Sequence, residues 1–461
     1  MAPRAYRALL VPRDEGALCL FLQNNDWGVS GMLDMKWIRE HADEVEEVAR
    51  LKNMSLSVKE LIEADDRRRE LITKVEKLRE QRNKGSEKVG RLMKEGRKEE
   101  AEQLRIDIRE LGGSIELVER ELSETEKDYE RLMMLVPNIV SKDTPIGRSD
   151  EDNVLVRQVG EVRDWDFAIR DHIQLGELHD LFDVPRGVKV GGSRSYYLKG
   201  DGVLLHRAVQ QLALDIVMKH GFTPMDVPIM VREEALVNTG FFPTGRDQTY
   251  ALEEENKFLV GTSEVPLISY YAGEIVDVSE PIRLAAVSTS FRSEVGSAGR
   301  DVRGLYRVHQ FAKVEMVVLT EADDDVSEGV HQEITGYAEQ LLQALELPYR
   351  VMAVCTGDMS QKTYKQYDIE TWMPSRQAYG ETHSSSNLHD FQARRSNIRY
   401  RDQDGQLKYV HTLNNTAAAS PRILIPLLEN HQMEDGSIYI PKALRPYMGG
   451  REAIILTAVQ E

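Results

Sequence analysis

The 461-residue chain has only two cysteines, Cys19 and Cys355, too few for a disulfide framework or a cysteine-rich zinc site. Long apolar runs are also missing. The stretch Ala17–Leu22 near the N-terminus falls far short of the ~20 residues a spanning helix needs, and Asp14 and Glu15 interrupt any signal-peptide core. These absences predict a cytoplasmic protein with no membrane partner. Positive charge is in deficit, with 59 Lys and Arg against 77 Asp and Glu for a net −18. Any contact with nucleic acid must therefore be local. Neither G-x-G-x-x-G nor G-x-x-x-x-G-K-[ST] follows a strand pattern, which disfavours dinucleotide folds and P-loops. If a nucleotide binds, side chains must hold its phosphates.

What is present divides into an arm, a joint and a large mixed domain. Residues 1–31 show no period and read as a leader, left open between an extension and an upstream start, with a helix-like segment beginning at Met32. Residues 32–136 read as a helical hairpin domain. Apolar or spacer positions run Leu71, Val75, Leu78, Arg82, Gly85, Val89, Leu92 and then, past Gly96, Leu104, Ile108, Leu111, Ile115, Val118, Leu122, Thr125, Tyr129, Leu132. Steps alternating between four and three are a heptad seam, and two seams about a glycine turn predict an antiparallel coiled coil. Helices of some 35 residues would reach about 50 Å. Folding about Gly96 sets Gly85 roughly opposite Leu111 and Gly112, which predicts thin packing and a hinge there. Residues 67–98 hold 13 basic against 5 acidic residues, and residues 99–131 hold 5 against 12, so one side of the arm is basic.

Pro137, Pro145 and the polar run Ser149–Asn153 mark a linker over 137–160. The remainder, 161–461, mixes helix and strand patterns, with buried strands expected at Val227–Val231, Phe258–Val260, Leu284–Val287 and Met316–Leu319. Arginines stand beside carboxylates at Phe291-Arg-Ser-Glu294 and near Ser420-Pro-Arg422, with Thr262-Ser-Glu264 upstream. Activating a carboxylate with a nucleotide needs such a mixture: cations to spread phosphate charge, anions to hold an amino group, and a place for a magnesium ion.

The order and spelling of Thr239-Gly-Phe-Phe-Pro243, Gly261-Thr-Ser-Glu264, Phe291-Arg-Ser-Glu294, Val308-His-Gln-Phe311, Lys313-Val-Glu315, Asp390-Phe-Gln-Ala-Arg-Arg395 and Leu444-Arg-Pro-Tyr-Met448 closely resemble the seryl-tRNA synthetases, class II aminoacyl-tRNA synthetases, from about Met32 to the C-terminus. The resemblance implies an α+β fold, the class II antiparallel sheet flanked by helices with an N-terminal coiled-coil hairpin. It implies a homodimeric ligase that joins L-serine to ATP with Mg2+ and passes the seryl group to tRNA(Ser), and by the same likeness to tRNA(Sec).

On the same resemblance Arg292 and Arg422 are the catalytic cations, at the α- and γ-phosphates respectively, as suits a planar, permanently charged fork. Ser293, Glu294, Val308 and Phe311 complete the adenine side. Glu381, Thr382, His383 and Ser384 form an ATP segment in which Glu381 and Ser384 offer oxygen ligands to the metal. Thr262, Glu264, Arg292, Glu315, Asn414 and Thr416 would receive serine, with Thr416 reading its hydroxyl. His383 is expected to pack rather than act as a base. Arg67, Arg68, Arg69, Arg79, Arg82, Lys84, Lys88 and Arg91 are the candidates for tRNA phosphates. The helix ending near Gly221 and a strand containing Pro228 would make the dimer interface.

Two departures stand out. The third motif, Asn414-Asn-Thr-Ala-Ala-Ala-Ser-Pro-Arg422, is poor in glycine. Ser420 and Pro421 are expected to cap and open a helix presenting Arg422, with Pro426 bending it. Thr382-His383 replaces smaller or apolar residues. Two other readings compete: a serine-activating paralogue for a non-tRNA acceptor, and a noncatalytic RNA-binding coiled-coil adaptor.

Overall fold

The structure, a computed structural model, describes residues 33–295 and 303–456; the expectation of a leader at 1–31 lies outside them. Two short helices, Met35–Glu40 and Ala42–Leu51, lead into the arm, made of α1 (Val58–Lys94) and α2 (Lys98–Leu135). The Ser57 hydroxyl caps α1 by accepting from the Glu60 amide, and Gly96 supplies the left-handed residue of the turn (φ 79°). Every seam position named from the heptads except Arg82 is buried or half-buried.

Packing is thin in mid-arm, where α1 has no fully buried residue between Val75 and Leu92. Both helices nonetheless run uninterrupted through their glycines. The register differs as well: a Cβ on Gly85 would meet Ile108 at 3.1 Å. Gly85 thus lets the side chain of Ile108 approach the opposing backbone.

At the arm's base, Leu61, Tyr129, Leu132 and Met133 pack with Ile38, Val45 and Ala49 of the two short helices. Lys52 then pins this base to the large domain. Its ammonium is buried and donates to the carbonyls of Asn138, Gln361 and Thr363. Lys52→Met is expected to cost about 3 kcal/mol, because three buried acceptors lose their donor; the thermal midpoint measures it. Burial pushes the ammonium down to about 7 from 10.5. The unfolded chain therefore binds more protons between those values, and the wild type should gain stability relative to Lys52→Met as pH rises across that window.

The large domain is built on one eight-stranded sheet: β1 (Val154–Val159), β2 (Thr223–Met225), β3 (Ile282–Phe291), β4 (Gln310–Thr320), β5 (Tyr349–Ala353), β6 (Lys365–Met373), β7 (Ala378–Asn387) and β8 (His411–Ser420). Their spatial order is β1-β5-β6-β7-β8-β4-β3-β2, antiparallel throughout except for β2 beside β3. The segment expected as linker, 137–160, ends in edge strand β1, and Asn138 and Ser141 bond the backbone at Gln361 and Tyr364. Its final residues extend the sheet instead of standing free of it.

Alternation along β4 divides the faces. Val314, Met316 and Val318 join the core under helices α3 (Gly200–Lys219) and α4 (Asp324–Ala344). Val317 and Leu319 join a second core with Leu267, Ile268, Ala393 and Ile398, and Lys313 lines a cavity on that face with the fully buried Glu315 next to it. Of the expected strands, Leu284–Val287 and Met316–Leu319 lie inside β3 and β4, and Phe258–Val260 overlaps Lys257–Leu259. Val227–Val231 is corrected: only Met230 and Val231 fall in a strand, Met230–Arg232, and Pro228 sits in the connection from β2. Proline has no N–H to donate to a ladder, so chain pairing resumes after it.

Candidate active site

A cavity of about 270 Å³ opens over β4, β6, β7 and β8. Among its lining residues are Thr262, Glu264, Arg292, Glu294, Val308, Phe311, Glu381, Thr382, His383, Ser384, Asn414, Thr416 and Arg422. Glu315 is fully buried behind it, bonded to Asn414 and Thr416. The structure therefore brings together every catalytic, serine and ATP position expected above except Ser293. Its hydroxyl and amide both donate to the backbone at Asp247 and Gln248, which anchors the turn after β3.

Two strand irregularities aim the polar groups. In β7 the register jumps from Glu381 opposite Glu370 to His383 opposite Ile369, so Thr382 is an inserted residue. Strand period two would put positions 381 and 384 on opposite faces; the bulge resets the phase and both reach the cavity. A second jump lies between Thr416 and Ala418. It follows directly on the pairing of Thr416 with Glu315.

At one end the lining is acidic but already partly neutralised. Glu315 Oε1 accepts from Asn414 Nδ2 (3.0 Å), and Oε2 accepts from Thr416 Oγ1 (3.3 Å) and Lys313 Nζ (2.8 Å). Burial pushes the Lys313 ammonium down, with Glu315 opposing the shift. Glu264 Oε1 accepts from Lys362 and Gln392, whereas its Oε2 takes part in no hydrogen bond among the described residues. Asn414 Oδ1 is also buried without a partner. Among the described residues, one carboxylate oxygen and one amide oxygen at this end are thus without a partner, a pair whose chemistry suits an ammonium and a hydroxyl.

The other end carries the guanidinium groups. Arg292 follows β3, its backbone paired with His309, and its guanidinium lies 5.3 Å from the centre of the Phe311 ring. Arg422 sits 4.4 Å from the centre of the Tyr306 ring and donates to the carbonyls of Tyr306 and Glu381. Its NH1 is 3.5 Å from the Glu381 carboxylate. Arg422 is not on a helix. Ser420 ends β8 and its hydroxyl meets His206 Nδ1 at 2.8 Å, so the expected cap is corrected; helix α5 starts only at Leu424. Pro426 therefore lies in the first turn, where no N–H has a partner within the helix and the expected bend does not arise. Instead, β8 itself delivers Arg422.

His383 is buried and pushed down to about 4 by desolvation, its Nδ1 against Thr382 Oγ1. Its ring is packed at the cavity wall. Several lining residues gave no sequence signal: Tyr306, Arg307, Asp358, Lys362 and Gln366. Asp368, buried behind the Glu381 end and not part of the lining, gave none either; burial and then the charge of Glu381 push it up to about 8 while Gln366 and Ser384 donate to it. Lys313 was legible within its motif, but its pairing with Glu315 was not.

In the arm, Arg67, Arg68, Arg69, Arg79 and Lys84 are tied to Glu70 and Glu121, Asp65, Asp65, Glu119 and Glu80 respectively. Arg82, Lys88 and Arg91 are exposed and make no ion pair among the described residues.

Residues 249–431 match the family model of the tRNA synthetase class II core domain (G, H, P, S and T), and residues 32–140 match the seryl-tRNA synthetase N-terminal domain. The chain is 47% identical over 424 residues to a serine–tRNA ligase of Deinococcus radiodurans, covering 92% of this chain and 99% of that one. It is 45% identical over 426 residues to the Thermomicrobium roseum enzyme, covering 92% and 95%. A crystal structure of seryl-tRNA synthetase from Pyrococcus horikoshii complexed with ATP superposes with a TM-score of 0.82 at 36% identity, covering 93% of this chain and 100% of that one. With both the hairpin arm and the class II core matched, the chain belongs to the seryl-tRNA synthetase family.

Proposed function

We propose that the chain activates L-serine with ATP and transfers the seryl group to tRNA(Ser). The observation that carries the reading is a single cavity holding two guanidinium groups, Arg292 and Arg422, and an acidic end with open acceptors on Glu264 and Asn414. A serine carboxylate oxygen attacks the α-phosphorus and pyrophosphate leaves; a terminal ribose hydroxyl of the tRNA then attacks the seryl carbonyl and AMP leaves. Arg292 spreads the charge of the attacked phosphoryl group and Arg422 holds the leaving phosphates. Glu264 Oε2 receives the ammonium, and Asn414 with Thr416 reads the hydroxyl. No side chain is assigned as a proton acceptor; the proton of the ribose hydroxyl leaves with the phosphate of AMP.

Glu381 and Ser384 offer only oxygen, with Asp368 and Asp358 nearby, a donor set that fits Mg2+. When bound there, the ion would neutralise phosphate charge. Serine-dependent exchange of pyrophosphate into ATP, run across several amino acids, tests the assignment. Exchange with serine alone supports it; a folded, magnesium-supplied sample giving none with any amino acid rejects it and favours the adaptor.

The arm is assigned to tRNA backbone, with Arg82, Lys88 and Arg91 as the phosphate contacts, since their charges are not spent within the protein. Reversing all three to Glu should lower the charging of tRNA(Ser), and of tRNA(Sec), by about tenfold or more with a shallower salt dependence, while exchange in the absence of tRNA stays near wild type. Equal loss of both activities would count against this division of labour, and unchanged charging would remove Arg82, Lys88 and Arg91 from the tRNA contact. A cytoplasmic homodimer completes the proposal. Val203, Leu204 and Met218 of α3, with Val188, Val190 and Tyr197, are large apolar side chains left exposed, surface that a second copy would cover. Sedimentation of the protein at twice the chain mass is the expected result.

A further inference from the structure

Which oxygen of Glu264 stays open is decided by the groups that hold the other one. Glu264 begins a short helix, Glu264–Ser269, and its carboxylate is almost wholly buried. Oε1 accepts from Lys362 Nζ at 2.5 Å and from Gln392 Nε2 at 2.7 Å. Lys362 is buried too, its ammonium 3.9 Å from the centre of the Phe241 ring. Gly240, left-handed at φ 77°, leaves room for the lysine stem, which a Cβ there would meet at 3.2 Å.

A flexible four-carbon stem keeps its ammonium in one place only when both ends are fixed. Here the backbone end is gripped from the base of the arm. Lys52 Nζ donates to the carbonyls of Gln361 and Thr363, Asn138 Nδ2 to that of Lys362, and Gln361 Nε2 to those of Met134 and Val136. The other partner of Oε1 is tied down as well. Gln392 Nε2 also donates to the Thr239 carbonyl, its Oε1 accepts from Thr412, and Arg395 of the same helix, Phe391–Ser396, donates to the Met134 carbonyl.

We propose that Lys362 is a positioning residue for the amino acid: a resident cation that holds Oε1 of Glu264 and leaves Oε2 to receive the substrate ammonium. The assignment rests on the cavity receiving serine. Charged groups on the neighbouring elements are Lys362 from the turn before β6, Lys313 and Glu315 of β4, and Arg292 after β3, while the helix Phe391–Ser396 offers Glu264 the neutral Gln392. Lys313 is bonded to Glu315 at 2.8 Å, so Lys362 is the cation in contact with Glu264. A buried carboxylate deprived of its cation takes up a proton, and a neutral carboxyl does not pair with an ammonium.

Two substitutions test this in pyrophosphate exchange. Lys362→Met removes both charge and donor; Lys362→Gln keeps a donor without the charge, and it carries the test if Lys362→Met does not fold in a thermal melt. Each should raise the Michaelis constant for serine by about tenfold or more, the scale of one charge-assisted hydrogen bond. Turnover should stay within about threefold, and the constant for ATP should not move. The serine defect relative to wild type should shrink as pH rises, because the proton on Glu264 is then released. An unchanged constant for serine overturns the assignment. So does a lowered one, which would mean that the lysine occupies the place of the substrate ammonium. Equal losses for serine and ATP at every pH would reduce Lys362 to a structural part and overturn it too. Wild-type protein without serine-dependent exchange would instead remove the reading of the cavity itself.

Discussion

Arg292→Ala is expected to lower serine-dependent pyrophosphate exchange by about a thousandfold, the scale of losing one preorganised charged donor to a transition state. The effect should fall on turnover more than on the Michaelis constant for serine, because the acceptors for its ammonium and hydroxyl, Glu264 Oε2 and Asn414 Oδ1, do not depend on Arg292. Folding should be almost untouched: the guanidinium makes one long hydrogen bond, 3.4 Å to the Gly261 carbonyl, lies over the Phe311 ring and otherwise faces the cavity. Arg292→Lys should recover little, since a point charge cannot reproduce a planar fork. Steady-state exchange kinetics and a thermal melt decide the matter. A variant with near-normal turnover would remove Arg292 from the catalytic role.

Glu315→Ala should be the most damaging substitution for stability, by about 3–5 kcal/mol, because it strands a buried cation. Lys313 is 7% exposed and Glu315 not exposed at all, and Asn414 and Thr416 would lose their acceptor as well. The thermal midpoint should fall by roughly 10 °C. The sign with pH is diagnostic. Burial already depresses Lys313, and without Glu315 the folded chain would release its proton at still lower pH than the unfolded chain does. Stability should then recover as pH rises toward the ordinary lysine range, and the deficit should shrink. The double substitution Lys313→Met with Glu315→Leu should restore most of the stability and none of the serine activation. Restored activity would mean that the acidic end does not receive the amino acid.

Residues close in sequence were legible where one period governs them. The heptads of α1 and α2 describe a helix pair whose only requirement is to bury a narrow seam, so nearly every named position is found at that seam. The motif arginines and carboxylates were legible through their resemblance to a family, since composition and spacing left Arg292 and Arg422 as ordinary ion-pair elements. Reading failed where local rules met a constraint from another strand. Ser420-Pro421 spells a helix start, yet pairing with β4 carries the strand through Ser420. Arg67, Arg68 and Arg69 spell a phosphate patch, yet the buried Asp65 and the facing Glu121 take them up.

The sequence alone determined the two-part architecture, the arm's length and seam, and the identity of the charged groups in the cavity, because helical periodicity and motif order are written in neighbouring residues. Tertiary structure decided which charges remain open to a ligand. The Thr382 bulge turns Glu381 and Ser384 to one face, and Lys313 and Lys362 occupy part of each buried carboxylate, Lys362 from 98 residues along the chain. Each of these depends on register between strands or on burial between distant segments, and neither quantity is a property of a residue and its neighbours along the chain.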